Sequence, residues 1–173
     1  VIAKTAEDTD SALADWCGQR LAGRLEYVPG LGFHLYNPSR GTWEADDPRD
    51  SAKTLRLVEE VLRERHLGIV ASGDSKHIQR DRKNLNKGKI EAVTRLLQGR
   101  LLHSPDEYDA NPDILNVGNG VVDLRTGELH PHAAAYRCTQ YTPVPYLPAA
   151  SHEDWTAALA ALPAAAHDWF RRW

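Results

Sequence analysis

Between residues 111 and 132 the chain reads NPDILNVGNGVVDLRTGELHPH, and no other stretch restricts the fold so tightly. Leu115, Val117 and the pair Val121 and Val122 alternate with Asn and Gly, the period-2 pattern of half-buried strands. DLRTGEL then supplies a tight corner before Leu129, with Gly127 where such a corner needs a positive φ. The stretch reads as an antiparallel hairpin in which Asn119, Gly120 and Gly127 serve backbone shape. Asp123 and Arg125 flank the corner, where a local side-chain hydrogen bond would stiffen it. This is a scaffold, and no catalytic residue is assigned to it.

The segments before it alternate helix and strand signals. TDSALADWCGQRLAGRL places Leu13, Trp16 and Leu21 near one helical face, with Thr9, Asp10 or Ser11 as a cap. Strands are expected around 25–28, 32–36 and 42–45, separated by Pro-Gly and by NPSRG. A helix begins after Pro48 with an Asp50/Ser51 cap, carries Leu55, Val58 and Leu62, and is expected to end at Gly68. Residues 74–88 have only Ile78 and Leu85 as apolar anchors, so they read as a solvated helix or a mobile connection. Ile90, Val93, Leu97 and Leu101 then restore the helical period.

After the hairpin, YTPVPYLPAA has too many prolines to be anything but extended. Ser151 and Asp154 resemble a capping box, and Trp155, Leu159, Leu162, Trp169 and Trp173 mark a helical pair kinked at Pro163. The fold class is α+β, mainly helical with small antiparallel β-hairpins. One core-bearing domain over 1–150 and a terminal helical element over 151–173 fit a length of 173 residues.

A net charge of -3 excludes a chain that coats nucleic acid over its whole surface. Cys17 and Cys138 form no paired motif, which fits a reducing compartment and gives no zinc-finger spacing. No apolar run reaches membrane-spanning length and no signal-peptide pattern is present, so the expected location is cytoplasmic. A start at Val1 and a stop inside an amphipathic pattern lead to the expectation of a piece of a longer protein.

Charge is concentrated in one place. From Lys76 to Arg100 there are eight Lys or Arg against two acids, Asp81 and Glu91. Such a patch attracts phosphates through counterion release; the bland alternative is a solvated helix face. His130, His132 and Cys138 offer imidazole and thiolate ligands without a fourth partner. Glu44, Asp46 and Asp47, with His34, are of the type that holds Mg²⁺ in phosphoryl transfer, but negative charge beside a helix N-terminus has a simpler cause in the helix dipole. No phosphate-binding glycine loop occurs. The tryptophans read as core or interface anchors, with Trp43, beside a turn, the one expected to be exposed.

Three stretches in order, YVPGLGFHLYNPSRGTWEADD, DILNVGNGVVDLRTGELHPH and YTPVPYLPAASHEDW, resemble the D5 N-terminal-like domain of phage, plasmid and poxvirus primase-helicases. The resemblance covers roughly residues 25 to 155. It departs at Leu35, Tyr36 and Asn37, where the family often has Trp-Asp, so no stacking tryptophan is carried over there. The resemblance implies a non-catalytic accessory domain between a primase region and a superfamily 3 AAA+ helicase, in a ring that is usually hexameric. It implies no cofactor in this chain, with ATP and Mg²⁺ held by the downstream helicase domain. Expected partners are single-stranded or fork DNA, the protein's own helicase and primase domains, and further copies of itself, with no membrane. Fifteen Arg against six Lys, with abundant Ala, fit a GC-rich phage or prophage gene in a bacterial host.

Lys76, Arg80, Arg82, Lys83, Lys87 and Lys89 are therefore the candidate nucleic-acid contacts, chosen by charge, and the family pattern does not mark them. Asn119, Gly120, Asp123 and Gly127 form the structural motif. The rival reading keeps the fold and makes the domain a pure protein-interaction collar. A metal-dependent nuclease or primase on Glu44, Asp46, Asp47 and His34 is the third.

Overall fold

Thr9 opens the first helix: its Oγ1 accepts a hydrogen bond from Ala12 N at 3.2 Å, and α1 runs over Asp10–Leu21. The computed structural model describes residues 9–150 and 152–170. Expectations placed on Ser151, on Trp173 and on the side chain of Trp169 lie outside the described residues. Among those described are six α-helices and two three-stranded antiparallel sheets, the α+β class read from the sequence.

The first sheet follows α1 as a meander, β1 Leu25–Val28, β2 Gly32–Asn37 and β3 Thr42–Ala45, with Tyr27 opposite Phe33 and Tyr36 opposite Trp43. Helix α2, Ala52–Ala71, does not stop at Gly68 as expected. A glycine inside a helix costs only about 1 kcal/mol, and Ile69 just beyond it is buried, which carries the helix on to Ser72. The expected Ser51 cap is also absent: Ser51 has φ 48° and makes no side-chain cap hydrogen bond. Asp50 Oδ1 accepts from Ala52 N at 3.0 Å, and buried Asp46 Oδ2 accepts from both Thr54 N and Thr54 Oγ1 at 2.7 Å.

The 74–88 segment contains a short helix, α3 Ser75–Arg82, which settles the choice between helix and mobile connection. Helix α4, Lys87–Arg100, presents Ile90, Val93 and Leu97 to Leu13, Cys17 and Leu21 of α1 and to Val58 and Leu62 of α2. Leu25 and Phe33 close this core from the first sheet. After α4 the chain runs beside β1, where Tyr27 N donates to Leu101 O and His103 N donates to Tyr27 O.

The second sheet is β4 Ile114–Val117, β5 Gly120–Asp123 and β6 Leu129–His130, paired in sequence order. Trp43 joins the first sheet to the 134–138 segment that follows the second. Its backbone N donates to Cys138 O at 2.8 Å and its Nε1 donates to Ala134 O at 3.0 Å. It was expected to be exposed and is 2% exposed, because the 134–138 segment folds over the turn beside it. Helices α5 Glu153–Ala160 and α6 Ala164–Phe170 flank Pro163 as the sequence predicts, with His152 as the α5 cap. Among the described residues no helix is long and apolar enough to cross a membrane.

Candidate nucleic-acid interface

Helix α3 divides its residues cleanly by the helical period. Asp74 caps it, accepting at Oδ1 from Lys76 N and His77 N at 3.1 Å each. Ile78, Asp81 and, past the helix end, Asn84 and Leu85 recur at intervals of three and four and turn inward; Asp81 and Asn84 are buried. Lys76, Arg80 and Lys83 recur at the same intervals on the other side, and these three and Arg82 are exposed. None of the four has a side-chain partner among the described residues, so their charge faces solvent.

The remaining candidates differ. Lys87 is exposed, with Glu91 one turn on at 3.7 Å. Lys89 is bound to Asp10 of α1 at 2.5 Å and so ties α4 to the first helix. It belongs to the packing of the domain as much as to its charge. The structure thus brings together five exposed cations from Lys76 to Lys87 on the α3 to α4 corner and turns the sixth toward α1.

The hairpin works as the sequence indicates. Asp123 Oδ1 accepts from Arg125 N at 2.8 Å and Thr126 N at 3.2 Å, Gly127 takes φ 74°, and Arg125 pairs with Asp113. At the first turn, Asn119 Nδ2 donates to Tyr146 O at 3.0 Å while Asn119 Oδ1 accepts from Tyr146 N at 2.8 Å. A Cβ on Gly120 would lie 2.3 Å from His130 O, and one on Gly118 would lie 2.5 Å from Pro143 O. These glycines let the proline-rich segment and β6 press against the turn.

The carboxylates and histidines weighed as metal ligands have other partners. Asp46 is committed to Thr54, Glu44 Oε1 accepts from Asn37 Nδ2 at 2.8 Å, and Asp47 Oδ1 accepts from Arg49 N. His34 Nδ1 faces Gly32 O, and His132 Nε2 donates to Val117 O at 2.9 Å. Among the described residues no group of three or more His, Cys, Asp or Glu is placed to hold a metal ion. Burial pushes the Cys17 thiol up to about 12 and that of Cys138 up to about 11, which leaves both protonated and poor ligands at neutral pH.

The D5 N terminal like family matches the chain over residues 10–162, which includes both sheets and helices α1 to α5. This chain is a D5 N-like domain. No curated protein matches it. As a member of that family it has the character of a domain associated with primase-helicases.

Two groups in this D5 N-like domain escaped the sequence reading. In the first, Glu26 Oε2 accepts from Tyr108 OH at 2.5 Å and Oε1 from Arg137 at 3.2 Å, while Arg137 also lies 3.1 Å from Glu107. Burial, reinforced by donation to Glu26, pushes the Tyr108 phenol far up. In the second, buried Asp81 meets Arg65 and His66 of α2. Sequence separations of 111 residues for Arg137 and Glu26 leave no local signal. For Asp81 there was one: it shares the inward spacing of Ile78 and Leu85.

Proposed function

We propose that this D5 N-like domain is the non-catalytic collar of a phage-type primase-helicase and guides single-stranded or fork DNA toward the motor. The observation that carries the reading is the face of α3 on which Lys76, Arg80 and Lys83 stand exposed, with Arg82 exposed beside it, all unpaired among the described residues. A flexible anionic backbone is the ligand such a face suits, since bound phosphates release counterions without needing a shaped pocket. Lys87 extends the track. In this reading the chain needs no cofactor, ATP and Mg²⁺ are used by a downstream helicase domain, and copies of the protein assemble around the DNA in the bacterial cytoplasm.

The test is fluorescence anisotropy of labelled single-stranded DNA at two salt concentrations, with Lys76→Glu/Arg80→Glu/Lys83→Glu beside the parent. Lys89 is left intact because it holds Asp10. Each lost phosphate contact should lower the salt slope by roughly 0.7 for a single strand, so the triple variant should lose a slope of about 2. No binding by the parent at low salt would reject the DNA-guiding role.

The second reading, a collar that binds only protein, is favoured by the exposed apolar side chains of Val144, Leu147 and Trp155 on the carboxy-terminal segment. It expects copies or neighbouring domains to cover them. Light scattering of the parent beside Leu147→Ser/Trp155→Ser tests it, the substitutions being expected to disrupt assembly, while the anisotropy titration separates the two readings, because this one expects no salt-sensitive DNA binding.

A further inference from the structure

From the arrangement of α2 and α3 we infer that Asp81 is a positioning residue: it fixes the rotation of α3 about its own axis and so determines that the cations face outward. This rests on the reading of α3 as the DNA-contacting face. The sequence counts Asp81 as one of two acids diluting the basic stretch. The structure removes it from that count, since its side chain is 2% exposed and points to α2.

Asp81 is surrounded on three sides. Arg65 of α2 forms an ion pair with it, His66 Nδ1 donates to its Oδ2 at 2.8 Å, and Asn84 Nδ2 donates to its Oδ1 at 3.2 Å. Both α2 partners are largely covered, with side chains 14% and 17% exposed. The apolar alternative is weak, because α3 offers α2 only Ile78 and, beyond its end, Leu85, both half-buried. Apolar contact is non-directional, whereas an ion pair with two further hydrogen bonds specifies an angle. Consecutive residues on a helix are about 100° apart, so a rotation of one residue would carry Lys76, Arg80 and Lys83 off the outward face. A buried ion cluster is suited to this role, since such clusters contribute little net stability compared with apolar replacements and can select one arrangement.

The experiment combines amide hydrogen exchange, read separately on α3 and on α4, with the anisotropy titration, using Asp81→Asn and Arg65→Met/Asp81→Leu. The double variant replaces the ion pair with apolar groups, removing the unpaired buried charge that could keep Asp81→Asn from folding. The expected result is exchange of α3 amides about tenfold faster or more with α4 unchanged, and DNA affinity reduced in both variants to that of the charge-reversed triple. A merely structural role would be rescued by the double variant. Unchanged α3 exchange in a folded variant, or parental DNA affinity in the double variant, would overturn the positioning role. If the parent itself fails to bind DNA, the functional reading falls while the exchange data still decide what Asp81 does.

Discussion

Asn116 shows how one side chain can join two parts of a fold. From β4 it donates through Nδ2 to Arg40 O and to Gln140 O, each at 2.9 Å, and so ties the second sheet to the turn of the first and to the segment after Cys138. Asn116→Asp keeps the shape but removes both donors and sets a carboxylate against carbonyl oxygens. It should cost about 2–3 kcal/mol, seen as a lower midpoint in urea unfolding. Gly120→Ala places a methyl against His130 O and should destabilise by a similar amount, about 2–3 kcal/mol in the same assay. The thiols give a pH prediction. Cys17 rises from an ordinary 9.0 to about 12 because burial disfavours the thiolate. The unfolded chain therefore loses this proton first as pH rises above 9, so stability is full below that value and falls toward pH 12. At pH 8 neither thiol should react with a disulfide reagent until denaturant is added.

At the scale of elements, legibility followed locality. Helices α1 and α4, the three strands of the first sheet and the hairpin of the second were readable because their apolar period and turn residues lie within a few positions of each other. The end of α2 was missed because Gly68 is a stop signal only when nothing buried follows, and Ile69 follows. The start of α2 was placed correctly, with Asp50 accepting from Ala52 N, but the Ser51 side chain does not cap it; the further acceptor, Asp46, sits in the preceding strand connection, where no local signal marks it. Asp46→Ala should lower stability by about 1–2 kcal/mol, the usual worth of a lost cap, and a circular dichroism melt would show it. Of the candidate site, the identity of the cations was legible from charge alone. Their outward orientation was not, since it depends on Arg65 and His66 in another helix, and neither was the engagement of Lys89 with Asp10, 79 residues away.

At the scale of the molecule, Asn116 ties the second sheet to the first, while Trp43 and the Glu26, Tyr108 and Arg137 cluster tie the first sheet to the segments that flank the second. Helices α5 and α6 pack against each other, and the residues around them are mostly exposed. A chain ending at Ala150 should therefore unfold within about 0.5 kcal/mol of the parent. Equal thermal midpoints would show that α5 and α6 are not needed for the core, and a large drop would show the reverse.

The paired hydrogen bonds between Asn119 and Tyr146 also set an alignment. Both a donor and an acceptor are required from a single residue, and the residue before Tyr146 is Pro145, which has no N–H to give. Sliding the segment one place in the other direction would offer Leu147 instead, with Pro148 next behind it as a second blank. Pro145 thus acts as a stop on one side of the notch and Pro148 limits a slide on the other to a single place, so the path leading to α5 leaves the hairpin from a point that is indexed, not merely attached.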